Sequence, residues 1–382
     1  MKLQALTLTD FRNIRAAAFA PSAELTVLCG KNGQGKTNLL ESIFLLTGSK
    51  SFRGAKDVQL VREGADYAVV EGVVAPQRPG SAAAPDAAQA QTAAAAAEDT
   101  DGKHIRIFIA GENSEKRGRS ARVNGVDYGR ATQLAGLFTA VVFEPDHLRL
   151  IKGSPEGRRR FLDAALCQLY PQYLVLLRRY GRVLEQKNAL LKEYARTRDA
   201  EGLLDVFDES LAAAGEEITA RRAAYLSVLA PLARQNYADL ASGSEQMEMT
   251  FVPSFTENLL SVLHAARRRD IAAGFCTSGP HRDDIAVTVN GRDARQFGSQ
   301  GQQRSAVLSI KLAEAAAAYA VTDTQPVLLL DDVLSELDET RQAYLLNRMK
   351  DRQTIVTACD PALFERTNGR IYTMENGVLS AR

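Results

Sequence analysis

The stretch Gly30-Lys31-Asn32-Gly33-Gln34-Gly35-Lys36-Thr37 constrains the fold more than any other part of the chain. It matches the pattern GxxxxGK[ST]. In that pattern glycines let backbone N–H groups curl around phosphate oxygens, the lysine reaches the β- and γ-phosphates, and the hydroxyl ligates Mg²⁺. All eight residues are therefore candidate nucleotide-binding residues, with Lys36 also a catalytic candidate and Thr37 a metal ligand. The apolar run ELTVLC before the loop reads as a strand, and NLLESIFLL after it reads as a helix. A helix N-terminus adds its own positive potential to such a loop. This order places the chain in the α/β class.

Two further segments carry compatible chemistry. In Pro326-Val327-Leu328-Leu329-Leu330-Asp331-Asp332 an apolar strand ends in two carboxylates. Asp331 is suited to hold Mg²⁺ through water and Asp332 to act as the base that polarises the attacking water. A buried strand reaching solvent gives the same pattern, so the reading depends on the company of Lys36. Phe297-Gly298-Ser299-Gln300-Gly301-Gln302-Gln303-Arg304 leads into the helical run SAVLSIKLAEAAAAYA. Ser299, Gly301 and Gln302 there are candidates to grip a phosphate oxygen, although a capped helix start reads the same way.

The chain is 382 residues long, enough for two or three domains. Residues 3 to 8 and 24 to 29 read as two short strands around a turn at Phe11 to Asn13. Tyr67 to Val74, His104 to Ala110 and Ala121 to Tyr128, with Asn124-Gly125 as a turn signal, predict an antiparallel sheet. Pro76 to Gly102 holds the alanine run 93–97 among Pro, Gln, Asp and Thr, and reads as a disordered hairpin insertion. From Ser154 to about Asp270 aliphatic residues recur at three- and four-residue spacing, which predicts a helical domain. The expected organisation is an ATPase-like α/β domain made of residues 1–150 and 273–382, interrupted by a helical domain at 151–272.

Composition excludes several classes. Apolar residues make up 45% and charged residues 24% of the chain, which fits neither wholesale disorder nor a membrane bundle. The opening MKLQALTLTDFRNIR places charges where a signal peptide needs an apolar core, so a cytoplasmic protein without a membrane partner is expected. Cys29, Cys167, Cys276 and Cys359 lie far apart with no CxxC pair, against a zinc ribbon or disulfide framework. Net charge is +1, so a polyanion has to be held by a local patch.

The order and spacing of the motifs resemble ABC-type ATPase heads. Walker A falls at 30–37, a signature-like SxGxxR at 299–304, Walker B at 327–332, and Ser335-Glu336-Leu337-Asp338 corresponds to the D-loop. Within that class the chain is similar to the RecF family along essentially its whole length. The likeness rests on LTLTDFRNI, GKNGQGKTNLLESI, FEPDHLRLIKGSPEGRRRFLD, SGPHRDDI, GSQGQQR and LLLDDVLSELD. It implies an ABC-type head with mixed sheets, ATP and Mg²⁺ as cofactors, and a homodimer formed on ATP. In that dimer each signature serine caps the γ-phosphate held by the other subunit. It also implies binding of duplex DNA near single-strand gaps and, with RecR and RecO, help in loading RecA.

Three departures from the general ABC pattern point to slow turnover. Asp332 stands where transporter ATPases usually have Glu. Val356 to Asp360 contains no switch histidine, and Glu144-Pro145-Asp146 replaces the Q-loop glutamine. Lys50, Arg53, Arg158, Arg159 and Arg160 are candidates to meet DNA phosphates, set against the ordinary reading of basic runs as a solvated face. His281-Arg282-Asp283-Asp284 lacks metal-ligand spacing and reads as a hydrogen-bonded turn. A transporter subunit would lack the long helical insert, and an SMC protein would need hundreds of heptad residues that are absent.

Overall fold

Leu3, Leu6 and Leu8 on the first strand turn inward, and a register shift between Leu3 and Ala5 sets which residues face the core. The computed structural model describes residues 1–75, 102–115, 117–197, 201–360, 364 and 369–382. Almost all of the expected insertion Pro76 to Gly102 lies outside them. The chain divides into two compact units, residues 1–147 with 314–382, and residues 148–313. The division after the central stretch falls between Ala313 and Glu314 instead of at 272. The signature-like loop therefore clusters with the helices.

The first unit carries two six-stranded sheets. Strands β1 (Lys2–Phe11), β2 (Ile14–Phe19) and β3 (Leu25–Cys29) come first, followed by helix α1 (Lys36–Leu45). Strands β4 (Tyr67–Ala75), β5 (Lys103–Ala110), β6 (Arg119–Val123) and β7 (Val126–Arg130) follow. An antiparallel sheet runs β2-β1-β4-β5-β6-β7. The expected turn after Phe11 does form, but it joins β1 to β2, pairing Phe11 with Ile14, and not to the strand at 24–29. Asn124 and Gly125 both take positive φ, 48° and 78°, as the predicted hairpin needs.

Strand β3 goes to the other sheet. With β8 (Ala140–Phe143), β12 (Val327–Leu330), β13 (Thr354–Ala358), β14 (Arg370–Glu375) and β15 (Val378–Ala381) it forms the order β15-β14-β3-β13-β12-β8. All contacts are parallel except β14 with β15. Strands β8 and β12 are buried throughout, as expected of parallel strands covered on both faces. Leu39, Leu40 and Ile43 of α1 join Leu6 and Leu8 of β1 and Leu329 of β12 in one buried cluster. The helix after the phosphate loop is thereby held by apolar side chains from both sheets.

The second unit is mainly helical: α2 (Pro155–Leu169), α3 (Pro171–Thr197), α4 (Glu201–Leu240) and α5 (Leu259–Ala273). It also holds an antiparallel sheet of β9 (Met247–Val252), β10 (Asp284–Val289) and β11 (Arg292–Asp293). A strand inside the expected helical stretch, and β10 and β11 grouped with the helices although they fall within 273–382, are two departures from the sequence reading. Helix α6 (Gln300–Thr322) is long and apolar enough to cross a bilayer, but 67% of that window is buried inside the protein. Its apolar length serves a core.

The turn His281 to Asp284 is the knot of this unit. Arg222, 3% exposed, pairs with both Asp163 oxygens at 3.0 and 2.9 Å and donates to Pro280 O at 2.6 Å and Asp283 Oδ2 at 3.1 Å. Asp283 also accepts from Thr219 Oγ1 at 3.1 Å and from the Ser254 N–H at 2.8 Å. His281 Nε2 meets the Cys276 carbonyl at 2.9 Å, and a carbonyl can only accept, so Nε2 carries the proton. Nδ1 then accepts from the Tyr180 hydroxyl at 2.7 Å. The segment is a hydrogen-bonded turn, as the sequence suggested.

Burial, the largest effect, lowers the His281 pKa to about 4, with Arg282 and Arg159 adding to it against the Cys276 hydrogen bond. Above the unfolded value near 6.5 both states are neutral and the group contributes nothing. As pH falls toward 4 the unfolded chain binds a proton that the folded ring refuses, costing about 3 kcal/mol of stability. Urea unfolding across pH 4 to 7 is therefore expected to show a shallower loss for His281→Gln than for wild type. Parallel curves would show that the ring protonates without penalty.

Candidate functional site

The phosphate loop leaves β3 at Cys29 and enters α1 at Lys36. Gly35 caps the helix with φ 116°, and a side chain there would press on Asn13 Oδ1. Gly30 lies so close to β14 that a Cβ would overlap the Met374 carbonyl oxygen. At the crest of the loop, Gln34 O accepts from Asn13 Nδ2 at 3.1 Å and from the Gly377 N–H at 2.9 Å. Gln34 Oε1 accepts from the Asn376 N–H at 2.6 Å. The loop is thus braced by the β1–β2 turn and the β14–β15 turn.

Lys36 Nζ donates to Gly30 O at 2.5 Å and to Lys31 O at 3.1 Å, and lies 3.7 Å from Cys359 Sγ. The Cys359 thiol donates to Asn32 Oδ1 at 3.1 Å. Thr37 Oγ1, on the first turn of α1, donates to Asp331 Oδ1 at 2.9 Å across 294 residues of chain. Asp331 is 9% exposed at the end of β12, and burial raises its pKa while hydrogen bonds from Thr37 and Thr357 pull it back. Asp332 is left-handed at φ 51°; the single Ser335 hydroxyl proton is shared between its carbonyl at 2.8 Å and Oδ1 at 3.2 Å.

These groups line one cleft of about 670 Å³, with residues 31 to 38, Asp331, Asp332 and Thr357 on its walls. Mg²⁺ takes oxygen ligands and keeps several waters. The Thr37 hydroxyl and Asp331 carboxylate are an all-oxygen donor set beside the loop, and they fit that ion. The structure thus brings together Lys31, Asn32, Gly33, Gln34, Gly35, Lys36, Thr37, Asp331 and Asp332 as the sequence predicted. Gly30 forms the floor under Lys36.

Ser299, Gly301 and Gln302 do not line this cleft and belong to the second unit. They form a reciprocal helix cap: Ser299 N–H donates to Gln302 Oε1 at 2.9 Å and Gln302 N–H to Ser299 Oγ at 3.2 Å. Ser299 is exposed, and Gln302 Nε2 is tethered to Glu245 Oε1 at 2.6 Å. Asp338 of the D-loop caps α7 (Glu339–Arg348) by accepting from the Arg341 N–H at 3.0 Å.

The five cations expected to meet DNA separate. Arg158 is 7% exposed and spends its guanidinium on both Asp284 oxygens, at 2.6 and 2.9 Å, and on the Gly153 carbonyl. Its fork is buried and matched to one carboxylate, which makes it a structural group of this unit rather than a surface cation. Arg159 is half-buried against Asp283 O at 2.8 Å. Arg160 is exposed beside Glu156, and Lys50 is exposed. Arg53 is exposed as well but stands on the wall of the phosphate cleft, donating to Asn38 Oδ1 at 3.1 Å.

Sequence reasoning missed Arg12, Asn13 and Glu41. Arg12, at φ 55° in the β1–β2 turn, lines the cleft and grips both Glu41 oxygens at 2.9 Å. Glu41, fully buried on α1, also accepts from the Ser51 hydroxyl, whose oxygen accepts the Arg53 N–H at 3.1 Å. One buried carboxylate therefore ties together the helix, the Arg12 turn and the loop that carries Arg53. An acid inside the apolar run NLLESIFLL was the available signal. Glu41→Gln is expected to cost about 3 kcal/mol in chemical unfolding, because it leaves the Arg12 charge half-buried and unpaired. The double change Arg12→Met with Glu41→Leu is expected to cost less than the single one. A Glu41→Gln variant as stable as wild type would remove the pair from this role.

The RecF/RecN/SMC N terminal domain profile matches residues 2–380. The chain is 35% identical over 394 residues to the DNA replication and repair protein RecF of Staphylococcus epidermidis, covering 99% of both sequences. Its fold is similar to the recombination mediator protein RecF of the RecFOR pathway solved with ATPrS, at 30% identity and TM-score 0.87 over 100% of this chain and 98% of that one. The likeness to the same mediator solved with ATP has 29% identity and TM-score 0.86, over 100% and 97%. A phosphate loop braced at both ends, a metal-ready hydroxyl and carboxylate, and a whole-chain match to RecF proteins converge: the chain belongs to the RecF family of DNA replication and repair proteins.

Proposed function

We propose that the chain is an ATP-dependent DNA-binding recombination and repair protein. On this reading it dimerises on ATP, binds duplex DNA near single-strand gaps and, with RecR and RecO, promotes RecA loading. The observation that carries the nucleotide part is the 2.9 Å contact between Thr37 and Asp331 at the mouth of the phosphate loop. The partners come from the RecF relatives and their RecFOR pathway.

Mg-ATP, when bound, supplies the electrophilic phosphorus and the cation that neutralises charge on its oxygens. The chain's own groups do the rest. Backbone N–H groups of the loop meet phosphate oxygens, and Lys36 turns an N–H from the loop carbonyls toward the terminal phosphate. Thr37 would offer a lone pair to the cation, its hydroxyl proton remaining on Oγ1 and hydrogen-bonded to Asp331 Oδ1. Asp332 accepts the proton of the attacking water, with Ser335 donating to its Oδ1. An aspartate here has a shorter reach than a glutamate, and a thiol, Cys359, occupies the strand end where an imidazole would assist. Turnover is therefore slow, and ATP acts as a timer for the dimer.

The second half of the site is the Ser299 loop of another copy. Ser299→Arg and Lys36→Ala are each expected to be inactive alone, the first through an intruding cation and the second through lost phosphate binding. Mixed in equal amounts, they form heterodimers in which one composite site keeps both native residues. About a quarter of wild-type ATPase is expected to return if chains pair at random and sites act independently. The mixture is also scored for ATP-dependent heterodimers by sedimentation. Neither heterodimer nor turnover above the separate mutants would rule out the shared site.

DNA is held through its phosphates, and affinity falls steeply with salt while depending little on sequence. Lys50 and Arg160 are the side chains of the original set that remain on the surface away from the cleft. Each change to Ala is expected to reduce the slope of log K against log salt by about 1. An unchanged slope for both would move the DNA track elsewhere.

A further inference from the structure

The last residues of β13 carry a contact that the nucleotide reading leaves unassigned. Strands β12 and β13 run parallel, with Leu330 beside Val356 as their last ladder pair. One residue later the backbone of β12 leaves the ladder, and Asp332 turns left-handed at φ 51°. Its N–H then has no strand carbonyl to meet. It donates instead to the side chain of Thr357, reaching Oγ1 at 2.9 Å. The same hydroxyl gives its own proton to Asp331 Oδ1 at 3.0 Å. Thr357 is 2% exposed, so neither bond is shared with bulk water.

We propose that Thr357 is a positioning residue for both carboxylates of the phosphate site, fixing the Asp331 side chain for the cation and the Asp332 backbone for the base. The proposal rests on the nucleotide reading above. A hydroxyl has one proton and two lone pairs. Here the proton is committed to Asp331, which polarises the oxygen and strengthens its acceptance from Asp332. Thr37 reaches the same Asp331 oxygen from another element, α1. Oδ1 is thereby held between two hydroxyls from two elements, and rotation of the carboxylate would break both bonds. Thr37 is carried on the first turn of α1, directly after the phosphate loop. Thr357 belongs to the sheet, and it supplies the fixed reference against which the loop's hydroxyl is placed. A strand is also the more rigid support for such a group. Position 357 needs both halves of threonine: a branched body for a buried strand and a hydroxyl at its end.

The test compares wild type, Thr357→Val and Thr357→Ser as full-length proteins. Valine keeps the shape and removes the hydroxyl, whereas serine keeps the hydroxyl and removes the methyl. Binding of a fluorescent ATP analogue is titrated without Mg²⁺ and then against Mg²⁺, alongside kcat and KM for ATP and thermal unfolding of the nucleotide-free proteins. For Thr357→Val we expect Mg²⁺-free binding within about twofold of wild type. The Mg²⁺ concentration for half-maximal tightening should rise about tenfold, and kcat should fall about tenfold with KM little changed. Thr357→Ser should restore both to within about threefold. A valine variant with the wild-type Mg²⁺ midpoint and kcat would overturn the proposal, and so would a serine variant as impaired as valine. If valine does not fold, Thr357→Cys replaces it, and an unshifted Mg²⁺ midpoint there overturns the proposal equally. Wild type that fails to bind the analogue would instead refute the nucleotide reading itself.

Discussion

A loop that turns its N–H groups toward a polyanion forgoes the backbone hydrogen bonds that would hold it in a helix or sheet. Among the described residues Lys36 alone, on the Gly30 and Lys31 carbonyls, braces it from within. Its neighbours must hold it. In this protein Gly30 lies against the β14 backbone, Gln34 is held by the Asn376-Gly377 turn and Asn13, and Gly35 packs under the Asn13 side chain. Two hairpin turns, one near each end of the chain, clamp a loop that lies between them in sequence. The N-terminal hairpin and the C-terminal hairpin are consequently parts of the phosphate site, although neither contains a residue of the GxxxxGK[ST] pattern.

The same economy governs the charges. Glu41 and Asp331 are buried acids close in space to a phosphate-binding loop, where unpaired negative charge would oppose the ligand. Glu41 is matched by the Arg12 fork and by Ser51. Asp331 accepts from the hydroxyls of Thr37 and Thr357 with no ion pair in contact among the described residues, and burial raises its pKa against those bonds and the more distant Arg53 charge. That difference separates a structural acid from one kept for a cation. Fully neutralising Asp331 with an arginine would stabilise the apo-like arrangement and compete with a metal for the same oxygens. An acid held by hydroxyls keeps its charge for the ion.

Much of this was readable in the sequence, because a phosphate loop, a strand ending in two acids and a capped helix are local patterns. What was not readable is instructive in physical terms. Strand β2, IRAAAF, was passed over because alanine carries little strand preference, and its pairing with β1 decides it. Strand β9 lies between long helical segments and forms because β10 pairs with it. The run Arg158-Arg159-Arg160 looked like one basic patch. Residues two apart on a helix point about 200° from each other, so Arg158 is buried against Asp284 while Arg160 reaches solvent. The clamp on Gln34 spans 342 residues, and no local pattern encodes a contact of that length.

The Ser299 loop is built as a helix cap, and the phosphate role proposed for its serine is compatible with that cap. In the reciprocal cap, Ser299 Oγ serves as an acceptor for the Gln302 N–H, and Gln302 returns the favour through its side chain. Capping therefore consumes a lone pair and leaves the hydroxyl proton to give. A phosphate oxygen needs a donor, so the two roles do not compete. The tether from Gln302 to Glu245 fixes the cap by a charge-assisted bond before any ligand arrives. Replacing the serine by alanine would thus remove a cap and a donor together, whereas asparagine can still cap and offers a different donor. Stability of the free chain reports the cap alone: alanine lowers it and asparagine keeps it, so a loss of ATP-dependent pairing in an asparagine variant of full stability would belong to the proposed phosphate role.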